Sequence, residues 1–512
     1  MKKQSLIKGS LILGVAGILT RFLGLFFRWP LIMLIGDEGV GYYQMSYPLY
    51  MFFIAIASGL PVAMSKMISE RNALNDIEGS FQVMKESSIL MLTIGTGTTF
   101  VLFFFAKPII SFLKWDPKAY YSLIGISFAP FIISFTTIFR GFFQGLQNMT
   151  PSAISQIIEQ IGRVVFGVGL AIFLLPKGIE FSAGGAAFGA TAGAVLGGSY
   201  LFSKYKKVKK SFAVKRIKTN PEVLNSILKI AIPISLGTTV GSVMNLIDSI
   251  LVPQKLLQAG LNNTQATILY AQLTGKAAVI TNIPLTLSMA ICTSLIPIIA
   301  ENFILNRKAE LKEKIDAAMK MTAVIALPCT LGLFFLAGPV MKLIFPGRSE
   351  GIDILKYLSL SIPFIIATQT TTSILQGTGN YVKPVINLFI GCIIKVILTS
   401  LLVSLPDLNI YGAVIASIGA YVTASILNFI TLRLTLKVKL NFYNILIKPC
   451  FAATLMMFPV LLSYNFIYKY IGSNGLSCLI SIFLGMIVYI ILVIVFKIFE
   501  VNEIKKRLNR KI

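Results

Sequence analysis

The sequence predicts an all-α integral membrane protein. Of its 512 residues, 55% are hydrophobic and only 13% are charged, whereas soluble globular chains contain about 45–50% apolar and about 25% charged residues. Apolar runs of roughly 20 residues, the length that a helix needs to cross the hydrocarbon core, recur along the whole chain. Because lipid offers the backbone no hydrogen bonds, only helices or a closed barrel can span it, and the runs are continuous rather than alternating. Helices are therefore predicted.

The apolar runs predict fourteen transmembrane helices. To within a few residues, we place them near 9–34, 43–65, 87–106, 120–142, 152–175, 182–203, 224–252, 268–300, 317–337, 352–375, 385–404, 410–431, 447–467 and 474–496. Lys2 and Lys3 precede the first run, as in a secretory signal. That run is too long for a signal, contains Arg21 and lacks a small-residue cleavage site, so we interpret it as the first membrane helix.

Positive charge is concentrated in alternate loops. The 46 Lys and Arg residues outnumber the 20 Asp and Glu residues, which gives a formal charge of +26. With both termini inside, most of the basic residues fall in cytoplasmic segments, as the positive-inside rule requires. The densest segment contains Lys204, Lys206, Lys207, Lys209, Lys210, Lys215, Arg216 and Lys218. We therefore interpret the charge as a topology signal and not as a nucleic-acid site, with anionic membrane lipid as a secondary partner of this segment.

Three features recur in the same order along the chain. Glu70–Asn75 is matched by Glu301–Asn306, 231 residues later, and Gln144–Asn148 is matched by Gln376–Asn380, 232 residues later. Small residues at every fourth position form the third pair, Gly185, Gly189, Gly193 and Gly197 against Gly412, Ala416, Ala420 and Ala424. The period spans six helices, an even number, so the two copies point the same way across the membrane.

This repeat predicts the domain organisation. We expect a first six-helix lobe at 1–203, a basic cytoplasmic linker at 204–223, a second six-helix lobe at 224–440, and two extra helices with a basic cytoplasmic tail at 441–512. The two lobes would enclose a central cavity. The small-residue ladders favour close packing against a neighbouring helix rather than a ligand role.

Charged residues inside the predicted helices indicate the site. Each would cost about 2.5–3.5 kcal/mol at the bilayer centre, so we expect them to face protein or water. The embedded cations are Arg21, Arg28, Arg163, Lys276 and Lys395, and the clearly embedded acids are Glu159 and Asp248. The surplus is positive and predicts a cationic, water-filled cavity that binds an anion such as a pyrophosphate, through Arg21, Arg28, Lys276 and Lys395.

Internal ion pairs are the alternative interpretation of these charges. Glu159 and Arg163 lie four positions apart on one helix and are expected to pair at least in part, and Asp248 could neutralise another cation. Arg28 could also extend toward the outer interface. The short turns that contain Gln144, Asn148, Gln376 and Asn380 are equally compatible with plain turn chemistry and with a gate.

Several function classes are excluded. The chain has no histidine, which removes His-based catalysis and His-ligated metals. Its five cysteines, Cys292, Cys329, Cys392, Cys450 and Cys478, lie unpaired in apolar stretches, as small buried hydrophobes do. Gly275-Lys276 lacks the rest of a phosphate-binding loop, and we find no nucleophile–base pair. We therefore expect no enzyme, no catalytic residue, no metal and no cofactor.

Five segments resemble the stage V sporulation protein B family, a group of fourteen-helix membrane proteins in the oligosaccharidyl-lipid, polysaccharide and multidrug exporter superfamily. They are Lys8-Gly9-Ser10-Leu11-Ile12-Leu13, Thr20-Arg21-Phe22-Leu23-Gly24, Ile35-Gly36-Asp37-Glu38-Gly39-Val40-Gly41, Gly59-Leu60-Pro61-Val62-Ala63-Met64-Ser65-Lys66, and Arg140-Gly141-Phe142-Phe143-Gln144-Gly145 ahead of Asn148, Thr150 and Pro151. The resemblance covers the whole chain in helix number and is most specific in the first third.

The resemblance implies a function. Relatives of this family include lipid II flippases, and its sporulation members are tied to spore-cortex peptidoglycan. Thr20–Gly24 is similar to the Ser-Arg-x-Leu-Gly motif of the flippases, which implies that Arg21 binds substrate. Those flippases carry an arginine and an acid in the second helix, where this chain has the neutral Ala55–Gly59, so the sugar of the substrate stays open.

We therefore predict a flippase of the bacterial cytoplasmic membrane. It would move an undecaprenyl-pyrophosphate-linked peptidoglycan precursor, similar to lipid II, by alternating access, for cell-wall or spore-cortex synthesis, and we expect it to be a monomer. The alternatives are an exporter of another lipid-linked polysaccharide unit, a multidrug exporter, and, from another class, a non-transporting scaffold for cell-wall synthases.

Overall fold

The computed structural model describes residues 6–210, 219–436, 441 and 443–498. This part of the chain is helical and contains no strand, so the all-α prediction is confirmed. Contacts divide the chain into two compact units, Met1–Ala271 and Gln272–Ile512. The helix that follows the basic linker therefore packs with the first unit. The predicted lobes, 1–203 and 224–440, follow the sequence repeat rather than these contacts and stay a prediction.

The first unit contains ten α-helices among its described residues. They are α1 (Leu6–Ala57), α2 (Gly59–Ala73), α3 (Ile77–Phe104), α4 (Ala106–Leu113), α5 (Ala119–Ser127), α6 (Ala129–Gly145), α7 (Thr150–Leu174), α8 (Ile179–Lys210), α9 (Pro221–Gln258) and α10 (Asn263–Ala271). Local chemistry sets several starts. Asp76 caps α3 by accepting a hydrogen bond from Gly79 N–H at 2.8 Å, and Asn220 caps α9, whose first residue is Pro221.

The second unit begins with a π-helical turn, Gln272–Ala277. Its α-helices are α11 (Ala278–Ile304), α12 (Lys308–Phe335), α13 (Ala337–Ile344), α14 (Ile352–Leu358), α15 (Ile362–Gly377), α16 (Val382–Leu402), α17 (Ile410–Leu436), α18 (Lys448–Ile471) and α19 (Asn474–Val495). A second π-helical segment, Tyr443–Ile447, leads into α18. Each predicted apolar run falls on helical segments of one unit or the other, apart from 268–300, which begins in α10 and ends in α11.

Twelve helical segments of the described chain are long and apolar enough to cross a membrane, which makes this a multi-pass membrane protein. The first of them, Ile12–Ala73, has 62 residues, about three times the 20 that one crossing needs, and includes most of the first predicted run and all of the second. The run at 268–300 is not among the twelve. The number of crossings, predicted as fourteen, stays a prediction.

A glycine bends the long first helix. Gly36 has φ 66° and ψ −172° inside α1 and divides it into two helices. Such a φ is readily available only to glycine, because a side chain would clash with the backbone. The bend separates the part of α1 that carries Arg28 from the part that carries Tyr43, and brings Phe27 within 5.7 Å of the Tyr43 ring.

The repeated sequences form repeated turns. Asn75 and Asn306 both have left-handed backbones with φ of 56°. In each turn the next residue donates its N–H to the carbonyl five positions earlier, at 2.9 Å in the first and 3.0 Å in the second. Asn148 and Asn380 end the second pair of turns and donate to the carbonyls five positions earlier at 3.0 and 2.9 Å. The two copies therefore share backbone geometry as well as sequence.

The glycine ladder of α8 packs against α7, as predicted. A Cβ added at Gly189 would lie 2.5 Å from Gly167 Cα, and one at Gly193 would lie 2.8 Å from Arg163 N. These distances leave no room for a side chain, so the two backbones touch directly. In the first unit, this contact fixes α7 and with it the charged side chains that α7 carries.

Candidate functional site

Two arginines and three tyrosines lie together inside the first unit. Arg28, Tyr43, Tyr47 and Tyr50 come from α1, and Arg163 comes from the middle of α7. The spacing of the tyrosines, four and then three residues, places them on one face of the helix. The Tyr43 and Tyr47 rings stack at 5.5 Å, and Tyr47 lies 5.8 Å from Tyr50. We call these five residues the arginine–tyrosine cluster.

Arg163 is the central cation of the cluster. Its guanidinium carbon lies 5.9 Å from the centroid of the Tyr47 ring, within the range of a cation–π contact. The buried Nε of Arg163 has no hydrogen-bond partner, and none of the described carboxylates lies within 4 Å of its guanidinium. The side chain therefore keeps donors that an anion could accept.

Glu159 pairs with Arg140 and not, as the sequence suggested, with Arg163. Nη2 of Arg140 donates to Glu159 Oε2 at 2.7 Å and to Ser155 Oγ at 2.8 Å. Ser155 and Glu159 are one turn apart on α7, so both face Arg140 on the neighbouring α6. The spacing of Glu159 and Arg163 allows a pair along one helix, but the helix opposite offers Glu159 a direct, charge-assisted partner.

The other predicted cations of the first unit lie on α1. Arg28 is half-buried, and its positive charge, like that of Arg163, acts on the Tyr43 phenol. Arg21 lies within the helical span of α1, seven residues before Arg28, but its side chain is outside the described residues. Arg28 and Arg163 thus both act electrostatically on Tyr43, and the contribution of Arg21 stays a prediction.

Lys276 is engaged within the second unit. Its side chain is 0% exposed, and its Nζ donates to Arg348 O at 2.7 Å and to Glu350 Oε2 at 3.1 Å. It lies in the π-helical turn Gln272–Ala277, a distortion that often marks functional positions. Burial by itself raises the pKa of Glu350. The hydrogen bonds from its own N–H and from Lys276, together with the charges of Lys276 and Arg348, have the larger combined effect, so the pKa is lowered. In this structure the ammonium group of Lys276 binds Glu350 and the carbonyl of Arg348, and its role in substrate binding stays a prediction.

Lys395 and Asp248 are both buried. Lys395 lies on α16 of the second unit and is 2% exposed, near the Cys392 thiol. Asp248 lies on α9 of the first unit and is 9% exposed. Neither lies in the arginine–tyrosine cluster.

The four turn residues Gln144, Asn148, Gln376 and Asn380 have turn geometry at the ends of α6 and α15. At the adjacent Gly145, a Cβ would lie 2.7 Å from Ile68 Cβ, so this turn is packed tightly against α2. The close packing gives these residues a structural role, and a gating role stays a prediction.

The family model for "Polysaccharide biosynthesis protein" matches residues 6–303, more than half of the chain. The chain belongs to this family. A second model, MatE, matches residues 274–401.

Two relatives match most or nearly all of the chain. Stage V sporulation protein B of Bacillus subtilis (strain 168) is 28% identical over 99% of this chain and 98% of its own length, which confirms the resemblance seen in the sequence. Lipid II flippase MurJ of the same organism is 29% identical over 84% of this chain and 83% of its own. A solved structure of lipid II flippase MurJ in an inward closed conformation has a TM-score of 0.72 at 17% identity, and covers 95% of this chain and 99% of that one. That likeness shows a shared fold.

Sequence reasoning missed several residues of the cluster region. Arg140 was not counted among the embedded cations, although the predicted run 120–142 contains it. The signal was the Ser155–Glu159 spacing, which places two acceptors on one face opposite a basic residue. The repeat offset of 232 residues also relates Arg163 to Lys395, so both copies of the sequence repeat carry a cation at the same position. The tyrosines could have been found from their helical spacing.

The arrangement can hold an anion within a membrane-spanning region. Guanidinium groups bind phosphate through two parallel hydrogen bonds, and tyrosine rings offer apolar faces with a polar hydroxyl. Arg140 already holds Glu159, and no described carboxylate lies within 4 Å of the Arg163 guanidinium. The remaining charge is positive.

Proposed function

We propose that this protein is a flippase that moves a polyprenyl-pyrophosphate-linked peptidoglycan precursor, similar to lipid II, across the cytoplasmic membrane. The observation that carries the proposal is Arg163, a guanidinium near the middle of a membrane-spanning helix, with a buried unpaired Nε and no described carboxylate within 4 Å. Keeping such a charge at the centre of a membrane costs at least about 2.5–3.5 kcal/mol. Binding of an anionic substrate would explain why the charge is kept.

The pyrophosphate would bind Arg163 and Arg28, with Arg21 on the same face of α1. Lys276 and Lys395 are further candidates, Lys276 only after its contact with Glu350 breaks. The tyrosine faces suit the sugar that follows the phosphates. The prenyl chain would stay in lipid, and the site would open to the two sides of the membrane in turn. Both termini would lie in the cytoplasm.

The relatives support this substrate class. One is named a lipid II flippase and another a stage V sporulation protein, which is consistent with a role in cell-wall or spore-cortex synthesis. A second candidate function is export of another lipid-linked polysaccharide unit, since the matching family is described by polysaccharide biosynthesis. The same cations would serve both, because both substrates carry phosphate. They would repel the cationic compounds that many multidrug exporters carry.

The test is translocation of fluorescent lipid II by the purified protein in lipid vesicles. Arg163→Gln should slow translocation about 10- to 100-fold, the loss expected when a charged hydrogen-bonding partner is removed. Arg163→Lys keeps the charge but loses the bidentate geometry and should recover part of the rate. Arg307→Gln is the matched control, because Arg307 forms an exposed ion pair with Glu310 at 3.5 Å.

Wild-type translocation by a stably folded Arg163→Gln variant would overturn the binding role. A parallel assay with a polyprenyl pyrophosphate that carries another saccharide separates the two candidate substrates. If neither lipid moves, and loop variants rather than cluster variants reduce cell-wall synthesis in cells, the scaffold alternative is favoured.

A further inference from the structure

A second basic site lies on the first unit, apart from the arginine–tyrosine cluster. A cavity of ≈ 620 Å³ opens there, and its lining includes Lys107, Lys114, Trp115, Tyr120 and Tyr121. It lies beyond the end of α3 that is remote from Asp76, and the 28 residues of α3 span about 42 Å. The cavity and the Asn75 turn are therefore at opposite membrane surfaces. The surface that carries the cavity is the predicted outer one.

The walls of the cavity are held in place by hydrogen bonds between α9 and the segment around α4. The indole Nε1 of Trp115 donates to Ser249 O at 2.6 Å, and Gln254 Nε2 donates to Leu113 O at 2.8 Å. Lys114 ends α4 in a left-handed conformation with φ 50°, a geometry that non-glycine residues rarely adopt.

The charge of the cavity is positive. Lys107 Nζ lies 5.7 Å from the Tyr120 ring centroid, a contact that uses the ring face and leaves the N–H donors for an anion. No carboxylate lines the cavity, and within the described chain neither lysine forms an ion pair. The nearby acid Asp116 is buried, accepts a hydrogen bond from the Lys118 N–H at 2.9 Å, and is not among the residues that line the cavity.

Exposed aromatic rings border the cavity. Phe112, between the two lysines on α4, is 83% exposed, and Phe104 and Phe105 at the end of α3 are also exposed. At the end of a membrane-spanning helix, such rings lie among lipid chains near the headgroups. The anionic part of a ligand in this cavity would thus lie beside the lysines, and the exposed aromatic rings around it would lie among the lipid chains.

We propose that the cavity lined by Lys107, Lys114 and Trp115 binds the phosphate of an anionic phospholipid headgroup. A lysine pair with aromatic walls complements one phosphate, and the exposed phenylalanines complement the acyl chains of the same molecule. This site is independent of the transported substrate. If phospholipid binding at this cavity is disproved, the proposed flippase function is unaffected, because no residue of the arginine–tyrosine cluster takes part.

The protein contains its own reporter. The chain has two tryptophans, and in a Trp29→Phe background the remaining one, Trp115, lies in the cavity wall. Purified full-length protein in detergent is titrated with dioctanoyl phosphatidylglycerol while Trp115 fluorescence is recorded. We expect a saturable change with this lipid, and no change with dioctanoyl phosphatidylcholine.

Lysine variants then locate the site. Lys107→Gln with Lys114→Gln should weaken phosphatidylglycerol binding about thirty-fold, since each lysine near an anionic headgroup contributes a factor of about five. If that double variant does not fold, Lys107→Gln alone should weaken binding about fivefold. The double arginine variant should bind like the parent protein. Lys342→Gln is the matched control, because Lys342 is an exposed lysine on α13, the short helix at the corresponding place of the second copy.

Three results would contradict the proposal. Unchanged affinity in the folded glutamine variants would show that the lysines do not hold the phosphate. Equal binding of phosphatidylcholine would show that charge is not recognised. Inorganic phosphate or glycerol 3-phosphate binding as tightly as the lipid would show that the ligand is a free phosphate rather than a membrane lipid.

Discussion

Nη2 of Arg140 lies 2.7 Å from Oε2 of Glu159, and this ion pair joins α6 to α7 inside the first unit. Both side chains are largely shielded, at 14% and 17% exposure. The pair neutralises the glutamate one turn away from Arg163. It therefore leaves Arg163, and not Arg140, without a described carboxylate within 4 Å.

Breaking this pair from one side should destabilise the protein. Arg140→Gln leaves Glu159 without its cation, and removal of one partner of a shielded pair costs about 3 kcal/mol or more. The double variant Arg140→Met with Glu159→Met should be closer to the parent, because it leaves no charge unpaired. Thermal unfolding of the purified variants in detergent gives the comparison.

Arg307→Gln serves as the control for the loss of an arginine, because its exposed pair with Glu310 should contribute no more than about 1 kcal/mol. If Arg140→Gln unfolds at the temperature of this control, the ion pair does not stabilise the contact between α6 and α7.

Adding a methyl group at Gly193 should disturb the site through the backbone. A Cβ there would lie 2.8 Å from Arg163 N and also contact Glu159 O. Forcing α8 away from α7 should cost about 1–3 kcal/mol, as overpacking does elsewhere. It should also reduce lipid II translocation, since the displaced turn of α7 carries Arg163.

Gly169→Ala is the matched control on α7, because a Cβ at this position would have no atom within 4 Å beyond its chain neighbours and the backbone of its own helix. It should be neutral or stabilising by up to about 1 kcal/mol, the helix propensity difference. Equal effects of the two substitutions on unfolding temperature would mean that the backbone contact at Gly193 is not close.

The cap of α3 should make stability depend on pH. The Gly79 N–H and the Arg71 guanidinium both donate to Asp76 and lower the pKa of its carboxyl group. A lowered pKa in the folded state stabilises the fold above the unfolded pKa of about 3.9, and this contribution disappears as pH falls through the folded value. Asp76→Ala should thus cost about 1 kcal/mol at pH 7.

The difference between the parent and Asp76→Ala should shrink as pH falls below about 4. Unfolding temperatures measured from pH 7 to pH 3 test this trend. Asp76→Asn keeps the cap but not the charge, and should show a smaller loss at pH 7. A difference that is constant over the whole range would show that the charge of Asp76 does not contribute.

Helix positions and the repeat were predictable because they depend on local composition. Apolar length identifies a membrane helix whatever its neighbours are, and the turns at Asn75 and Asn306 repeat because the same six-residue pattern forms the same backbone. The choice of partner for Glu159 was not predictable in this way. The spacing along α7 suggested Arg163, but a residue of α6 competes for the same carboxylate and lies closer.

The amino-acid sequence by itself determined that this is a helical membrane protein with an internal repeat and an excess of embedded cations. These properties follow from the cost of placing polar groups in lipid, which acts on each segment separately. Only the tertiary structure decided which cations are engaged. Lys276 is held by Glu350 and Arg140 by Glu159, whereas Arg163 lies against Tyr47. Ion pairing depends on distances of a few ångströms between different helices, and those distances are set by how the backbones of α6, α7 and α8 pack.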